Sequence, residues 1–137
     1  MNRSDLQELS NARMREATTL FKAGEYSGAY YLAGYAVECA LKACIAKATQ
    51  QHDFPDKDRA QKSYSHKPLE LMKVAELYDV FESAMRSDRV LAANWTFVTE
   101  WSEQSRYETW SGGKAAALLV AVSLPAGGVL PWIQMHW

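Results

Sequence analysis

EYSGAYYLAGYAVECALKACIAKATQ, residues Glu25–Gln50, carries apolar side chains around most of a helical circumference and contains no proline. Tyr30, Gly34, Val37, Leu41 and Ile45 fall on one side, and Leu32, Cys39, Ala43 and Ala46 on others. A helix of this kind belongs in the middle of a bundle. Ala29, Ala33, Ala36, Ala40 and Ala43 would let a neighbouring helix approach closely. What remains polar is a narrow strip of Tyr31, Tyr35, Glu38 and Lys42 at helical spacing. Glu38 must find a donor or stay protonated, because its neighbours offer no solvation. A cross-helix arginine, Arg13 or Arg106, is the expected partner; Lys42 alone, one turn away, would add only about 0.2 to 0.5 kcal/mol.

Outward from this segment the period stays helical. Ser4 and Gln7 resemble a capping box, behind which Leu6, Leu9, Met14, Ala17, Leu20 and Phe21 share a face until Gly24 ends the first helix. Arg13 lies within that face, where either its stem snorkels past the core edge or its guanidinium meets a buried carboxylate. Gln51 to His66, with Pro55 and mixed charge, reads as a mobile surface loop. Ser65 then caps a third helix with Leu71, Val74, Tyr78, Phe81 and Met85 on one face. Ser87 and Asp88 start a fourth, on which Leu91, Asn94, Trp95, Val98 and Trp101 align, and Asn94 needs a buried partner there. Gly112 and Gly113 interrupt the chain, Lys114 to Leu124 makes a short buried helix, and Pro131 opens a last turn. The expected fold is all-α, an up-and-down bundle of five or six helices forming a single domain over residues 1–137.

With 48% hydrophobic and 23% charged residues, the composition argues against disorder, collagen-like repeats and a disulfide-built miniprotein. The net charge of -1 leaves no globally basic field, so a nucleic-acid contact would need a local patch. Met1 to Ser10 lacks an apolar run behind a basic cluster, and the longest apolar stretch, Ala115 to Val122, falls far short of the roughly 18 residues of a membrane span. A cytoplasmic location without membrane partners is therefore expected. Cys39 and Cys44 match neither a redox pair nor a zinc knuckle and read as buried free thiols. His52, His66 and His136 share no metal spacing, and His52 and His136 read as solvated. Neither a metal nor a cofactor is expected. The five tryptophans fit a core or dimer seam better than base-stacking platforms.

Four runs carry a resemblance: FKAGEYSGAYYLAGYAVECALKACIAK (Phe21–Lys47), SHKPLELMKVAEL from Ser65, NWTFVTEWSEQSRYE from Asn94, and GVLPWIQMHW from Gly128. Together they span nearly the whole chain and resemble a prokaryotic HEPN domain. The resemblance implies a helical bundle that dimerises and is encoded beside a small nucleotidyltransferase. Members of that family bind nucleotides, cut RNA as toxins, or serve as non-catalytic modules.

The family's ribonucleases carry an arginine, four to six intervening residues, and a histidine, a pair suited to metal-independent cleavage through the 2′-hydroxyl. Arg59 and His66 are the only catalytic candidates of that spacing here, and they precede the third helix, whereas the family motif lies near a C-terminal helix. Whether the chain is an enzyme therefore stays open. His66 also resembles the Ser-His dipeptide of non-ribonuclease members, where a capping role suffices. Ser105 to Glu108 resembles an Arg-Tyr segment that follows the fourth helix in many members. Arg106 could hold a phosphate and Tyr107 a stacked base; alternatively Arg106 pairs with Glu38 or Glu103 to tie two helices together.

Two functions follow as expectations. The first is nucleotide or RNA binding at Arg106, Tyr107, Asn94 and Glu38, in a toxin-type partner of a nucleotidyltransferase. The second is a non-catalytic helical dimerisation module. A homodimer is expected, since small-residue helices and a Trp-bearing C-terminal segment offer more apolar face than one bundle covers.

Overall fold

A capping box at Asn2 opens the first helix: the Asn2 side chain accepts from the Asp5 amide at 2.9 Å, and the Asp5 carboxylate accepts from the Asn2 amide at 3.0 Å. This helix, α1 (Arg3–Lys22), thus begins slightly earlier than a cap at Ser4 would place it. It ends where Gly24 adopts a left-handed φ of 80°, a conformation glycine takes without steric cost. The computed structural model describes residues 1–51 and 56–137, and all regular elements among them are helical.

After α1 come α2 (Tyr26–Gln51), α3 (Lys57–Lys62), α4 (Pro68–Val74), α5 (Tyr78–Ser87) and α6 (Arg89–Glu100). A 3-10 turn (Glu103–Tyr107), α7 (Gly112–Ser123) and α8 (Val129–Gln134) complete the order. The all-α expectation holds, with more segments than five or six. Two of the additions have local causes. Asp56 accepts from the Arg59 amide at 2.7 Å and caps α3 inside the stretch expected to be a loop. Glu76 takes a left-handed φ of 61°, which splits the expected third helix into α4 and α5. Residues 52–55 of that expected loop, with His52 and Pro55, lie outside the described residues.

The central position expected for α2 is observed. It packs along α1 and also meets α4, α7, α8 and the 3-10 turn. Ala29, Ala33, Ala36, Ala40 and Ala43 are fully buried by the chain's own helices. The close approach they permit is visible where Ser10 Oγ of α1 donates to the Ala36 carbonyl of α2 at 2.7 Å. Gly34 serves the same end on another face. A Cβ there would be driven into the five-membered ring of Trp101, which lies directly on the helix backbone.

The far side of the bundle is aromatic. Phe81 of α5 meets Trp95 of α6 and Trp132 of α8 edge-on, with ring centroids 4.8 and 4.7 Å apart. Trp95, Trp101 and Trp132 are buried, while Trp110 and Trp137 pack against the core. Tyr30 and Trp110 stack at 3.8 Å. Aromatic pairs of this kind add roughly 0.5 to 1.5 kcal/mol beyond the area they bury. Among the described residues, no helix is long and apolar enough to cross a membrane.

Candidate functional site

One turn beyond Gly34 on α2, Glu38 is 1% exposed, as the polar strip between apolar neighbours required. Its Oε1 lies 3.1 Å from Lys42 Nζ and 2.5 Å from His66 Nδ1. The other His66 nitrogen, Nε2, faces Glu103 Oε2 at 3.2 Å. Lys42 and His66 are partly exposed, so Glu38 is reached from the surface by an ammonium and an imidazole rather than enclosed with them.

Local structure brings these groups together. Ser65 Oγ accepts from the Lys67 amide at 3.1 Å and donates to Glu70 Oε2 at 2.6 Å. Pro68 then begins α4, fixing the approach of His66 to α2. On the opposite side α6 ends at Trp101, and Ser102 opens the 3-10 turn whose first residue is Glu103. Trp101 on Gly34 presses that turn against α2, with Tyr31 stacked at 6.0 Å from the indole.

A neutral imidazole has a single N–H, so it can donate to only one of the two carboxylates. The Glu38 contact is a hydrogen bond, and the Glu103 contact becomes an ion pair when His66 is an imidazolium. Two side chains next to Glu38 are held in their neutral forms. Burial, and then the Glu38 charge, push the Cys39 thiol up to about 11. Burial likewise raises the Tyr35 phenol above its usual range, with Cys39 and Glu38 adding to the effect. Glu38 Oε2 and Trp101 Nε1 are buried and have no hydrogen-bond partner among the described residues.

Arg106 and Tyr107 follow Glu103 in the same turn. Tyr107 is 72% exposed, and the Arg106 guanidinium sits 4.8 Å from the centre of its ring. Tyr107 is the main influence holding the Arg106 pKa above its ordinary value, with smaller contributions from Tyr31 and Glu103. Those neighbours place the guanidinium on the Glu38 and His66 edge of the molecule. The expected pairing of Arg106 with Glu38 or Glu103 is absent from the ion pairs among the described residues; Arg106 stacks instead.

The other candidates lie elsewhere. Asn94 Nδ2 donates to the Gly127 carbonyl at 2.8 Å, tying α6 to the turn before α8. It stands seven residues before Trp101, roughly 10 Å along the helix at 1.5 Å per residue. Arg59 Nη1 donates to Glu76 Oε1 at 3.0 Å, while His66 turns to Glu38 and Glu103, so the two members of the arginine-histidine spacing face different partners. Arg13 pairs with Glu16 at 2.7 Å rather than with Glu38. The cross-helix arginine expected for Glu38 is thus replaced by a cross-helix histidine and the adjacent Lys42. His136, expected to be solvated, is partly buried with its ring 4.3 Å from Trp132, and burial lowers its pKa. Cys44 is a buried free thiol like Cys39, pushed up to about 12 by burial.

The pairing of His66 with Glu38 crosses 28 positions in the chain and escaped the sequence reading. Its available signals were a buried carboxylate lacking a donor and a histidine held just ahead of Lys67 and Pro68. Among the described residues no group of three or more His, Cys, Asp or Glu side chains could hold a metal ion. The edge formed by α2 and the 3-10 turn offers instead an open guanidinium, a flat aromatic face and an imidazole oriented by a buried carboxylate. Compared with known proteins, the chain matches no family model, no curated protein and no solved structure.

Proposed function

We propose that this chain is a HEPN-like protein that binds nucleotides or single-stranded RNA at the edge formed by α2 and the 3-10 turn. The observation that carries this reading is the exposed Arg106 guanidinium stacked on Tyr107 and engaged by no carboxylate ion pair among the described residues. A guanidinium presents paired donors to a phosphate, and a flat phenol ring accepts a base of any identity. Tyr31 and His66 border the same edge, whereas Asn94 and Arg59 do not belong to it. The resemblance at Phe21–Lys47 and Ser65–Leu77 extends the proposal to a toxin-type partner of a minimal nucleotidyltransferase, located in the cytoplasm.

Fluorescence anisotropy with a labelled single-stranded RNA hexamer tests it. Arg106→Ala should weaken binding about tenfold, the scale of a charge-assisted hydrogen bond, and Tyr107→Ala by a similar factor. Equal affinity of both variants and the parent would overturn the assignment of this edge. The hexamer should be recovered uncut, since Arg59 and His66 do not converge.

A second reading, a non-catalytic dimerisation module, draws on the outer faces of the packed pair α6 and α7. There Val90, Phe97 and Val120 are exposed. Light scattering separates the two, because a 15.4 kDa species would remove dimerisation as the role of this surface.

A further inference from the structure

We infer that His66 positions the 3-10 turn and makes its hold on a phosphodiester proton-linked, the imidazolium bridging Glu38 to Glu103 and neutralising Glu103 beside Arg106. The inference rests on the RNA-binding reading of this edge and supplies its regulation.

A 3-10 helix has three residues per turn, so side chains three apart eclipse one another. Glu103 and Arg106 therefore share one face of the turn, and the carboxylate is the natural competitor of any phosphate for the guanidinium. In the structure Glu103 is drawn instead toward His66 Nε2 at 3.2 Å, and His66 is held from behind by the buried Glu38 at 2.5 Å. Protonated, the ring stays hydrogen-bonded to Glu38, forms an ion pair with Glu103 and leaves Arg106 open. Neutral, it can donate to one alone. The buried Glu38 has Lys42 beside it but loses a donor if the ring turns outward, so Glu103 is the contact that weakens.

The charges that meet the ring are Glu38 on α2 and Glu103 on the turn. Lys42 shares Glu38 Oε1 with it, Glu70 is bonded to Ser65 next to it in the chain, and Arg106 lies one 3-10 turn beyond Glu103. An imidazole is the group among them that passes from one N–H donor to two on gaining a proton. Burial holds Cys39 and Tyr35 above their ordinary values. Gaining a proton adds positive charge at the edge and engages Glu103, so affinity for an anion rises as pH falls from 8 to 6. A phosphodiester is the informative ligand because, unlike a terminal phosphate, it does not itself change charge over that range.

The test is anisotropy with a labelled single-stranded RNA hexamer at pH 6 and pH 8, on the full chain and two variants. The parent should bind roughly two- to fivefold more tightly at pH 6, the scale of a partly exposed ion pair. His66→Gln should bind as weakly at pH 6 as the parent does at pH 8. Glu103→Gln keeps an acceptor for the ring but removes the competing charge, so it should bind tightly at both values. A His66→Gln profile parallel to the parent's would overturn the inference. Hydrogen exchange without RNA provides a separate readout. Loss of protection at the Ser105 and Glu108 amides in His66→Gln at pH 6, with α7 unchanged, supports the bridge; unchanged protection there overturns it. Failure of the parent to bind RNA at either pH would reject the RNA-binding reading, with the exchange result still deciding the role of His66.

Discussion

Asn94 and Glu38 are both polar side chains closed between apolar helices, and they solve that problem in opposite ways. Asn94 donates to a single backbone carbonyl, Gly127, and its interaction stays inside the fold. Glu38 is met by Lys42 and His66, side chains that themselves reach solvent. The first arrangement is complete and inert, whereas the second couples the interior to the ionic state of the surface. Buried polarity is therefore a poor indicator of function until its partners are known.

The largest loss of stability is expected at the indole that seats the 3-10 turn on α2. Trp101→Ala should cost about 3 to 5 kcal/mol in a urea melt, because a fully buried indole leaves a cavity over Gly34 and unseats the 3-10 turn. Asn94→Ala should cost about 1 to 3 kcal/mol by leaving the Gly127 carbonyl unsatisfied, yet leave RNA affinity unchanged. A loss of affinity in that variant would contradict its separation from the α2 edge. Glu38→Met tests the other side. Replacing a buried ionic contact with an apolar group of similar volume is often neutral or stabilising, so its melt should stay within about 1 kcal/mol of the parent while the pH dependence of RNA binding disappears.

The smallest effect concerns the two thiols on α2. Cys39 and Cys44 are pushed to about 11 and about 12, so both are protonated at pH 8 and should react with a disulfide reagent only slowly in the folded protein. Burial is the principal cause for each, and Glu38 contributes at Cys39 alone. Glu38→Met should therefore quicken the reaction of Cys39 modestly and leave Cys44 unchanged. Equal rates at both sites in parent and variant would show that the carboxylate does not act on its neighbour.

The fold was readable where pattern and burial coincide. The apolar circumference of Glu25–Gln50 announced a central helix and Asp88 caps α6 as expected, whereas Ser111 caps α7 so that Gly112 and Gly113, expected to interrupt the chain, form its first turn. The division between α4 and α5 was not readable, because a glutamate at 76 carries no preference for the left-handed conformation it adopts. The same contrast holds at the site. The polar strip identified Glu38 as needing a donor, and the Ser105–Glu108 segment identified Arg106 and Tyr107. Neither named His66 as the donor, because helical periodicity describes one helix at a time and this contact joins α2 to the entry of α4. The expected arginine partners failed for local reasons: Arg13 found Glu16 three residues away, and Arg106 found the ring beside it.

The placement of α2 also bears on how the chain acquires its structure during synthesis. This helix is complete by residue 51, but α7 and α8, which cover much of its apolar surface, lie at residues 112–134. More than half the chain must be made before those contacts can close, and at about 5 to 20 residues per second that interval lasts several seconds. Early in that interval α2 has α1 as its partner, α4 and the 3-10 turn join later, and the part of its surface that α7 and α8 cover stays open until they are made. Nascent chains halted before α7 should thus be recognised by chaperones or aggregate, while those released after α8 bury that face within a single molecule.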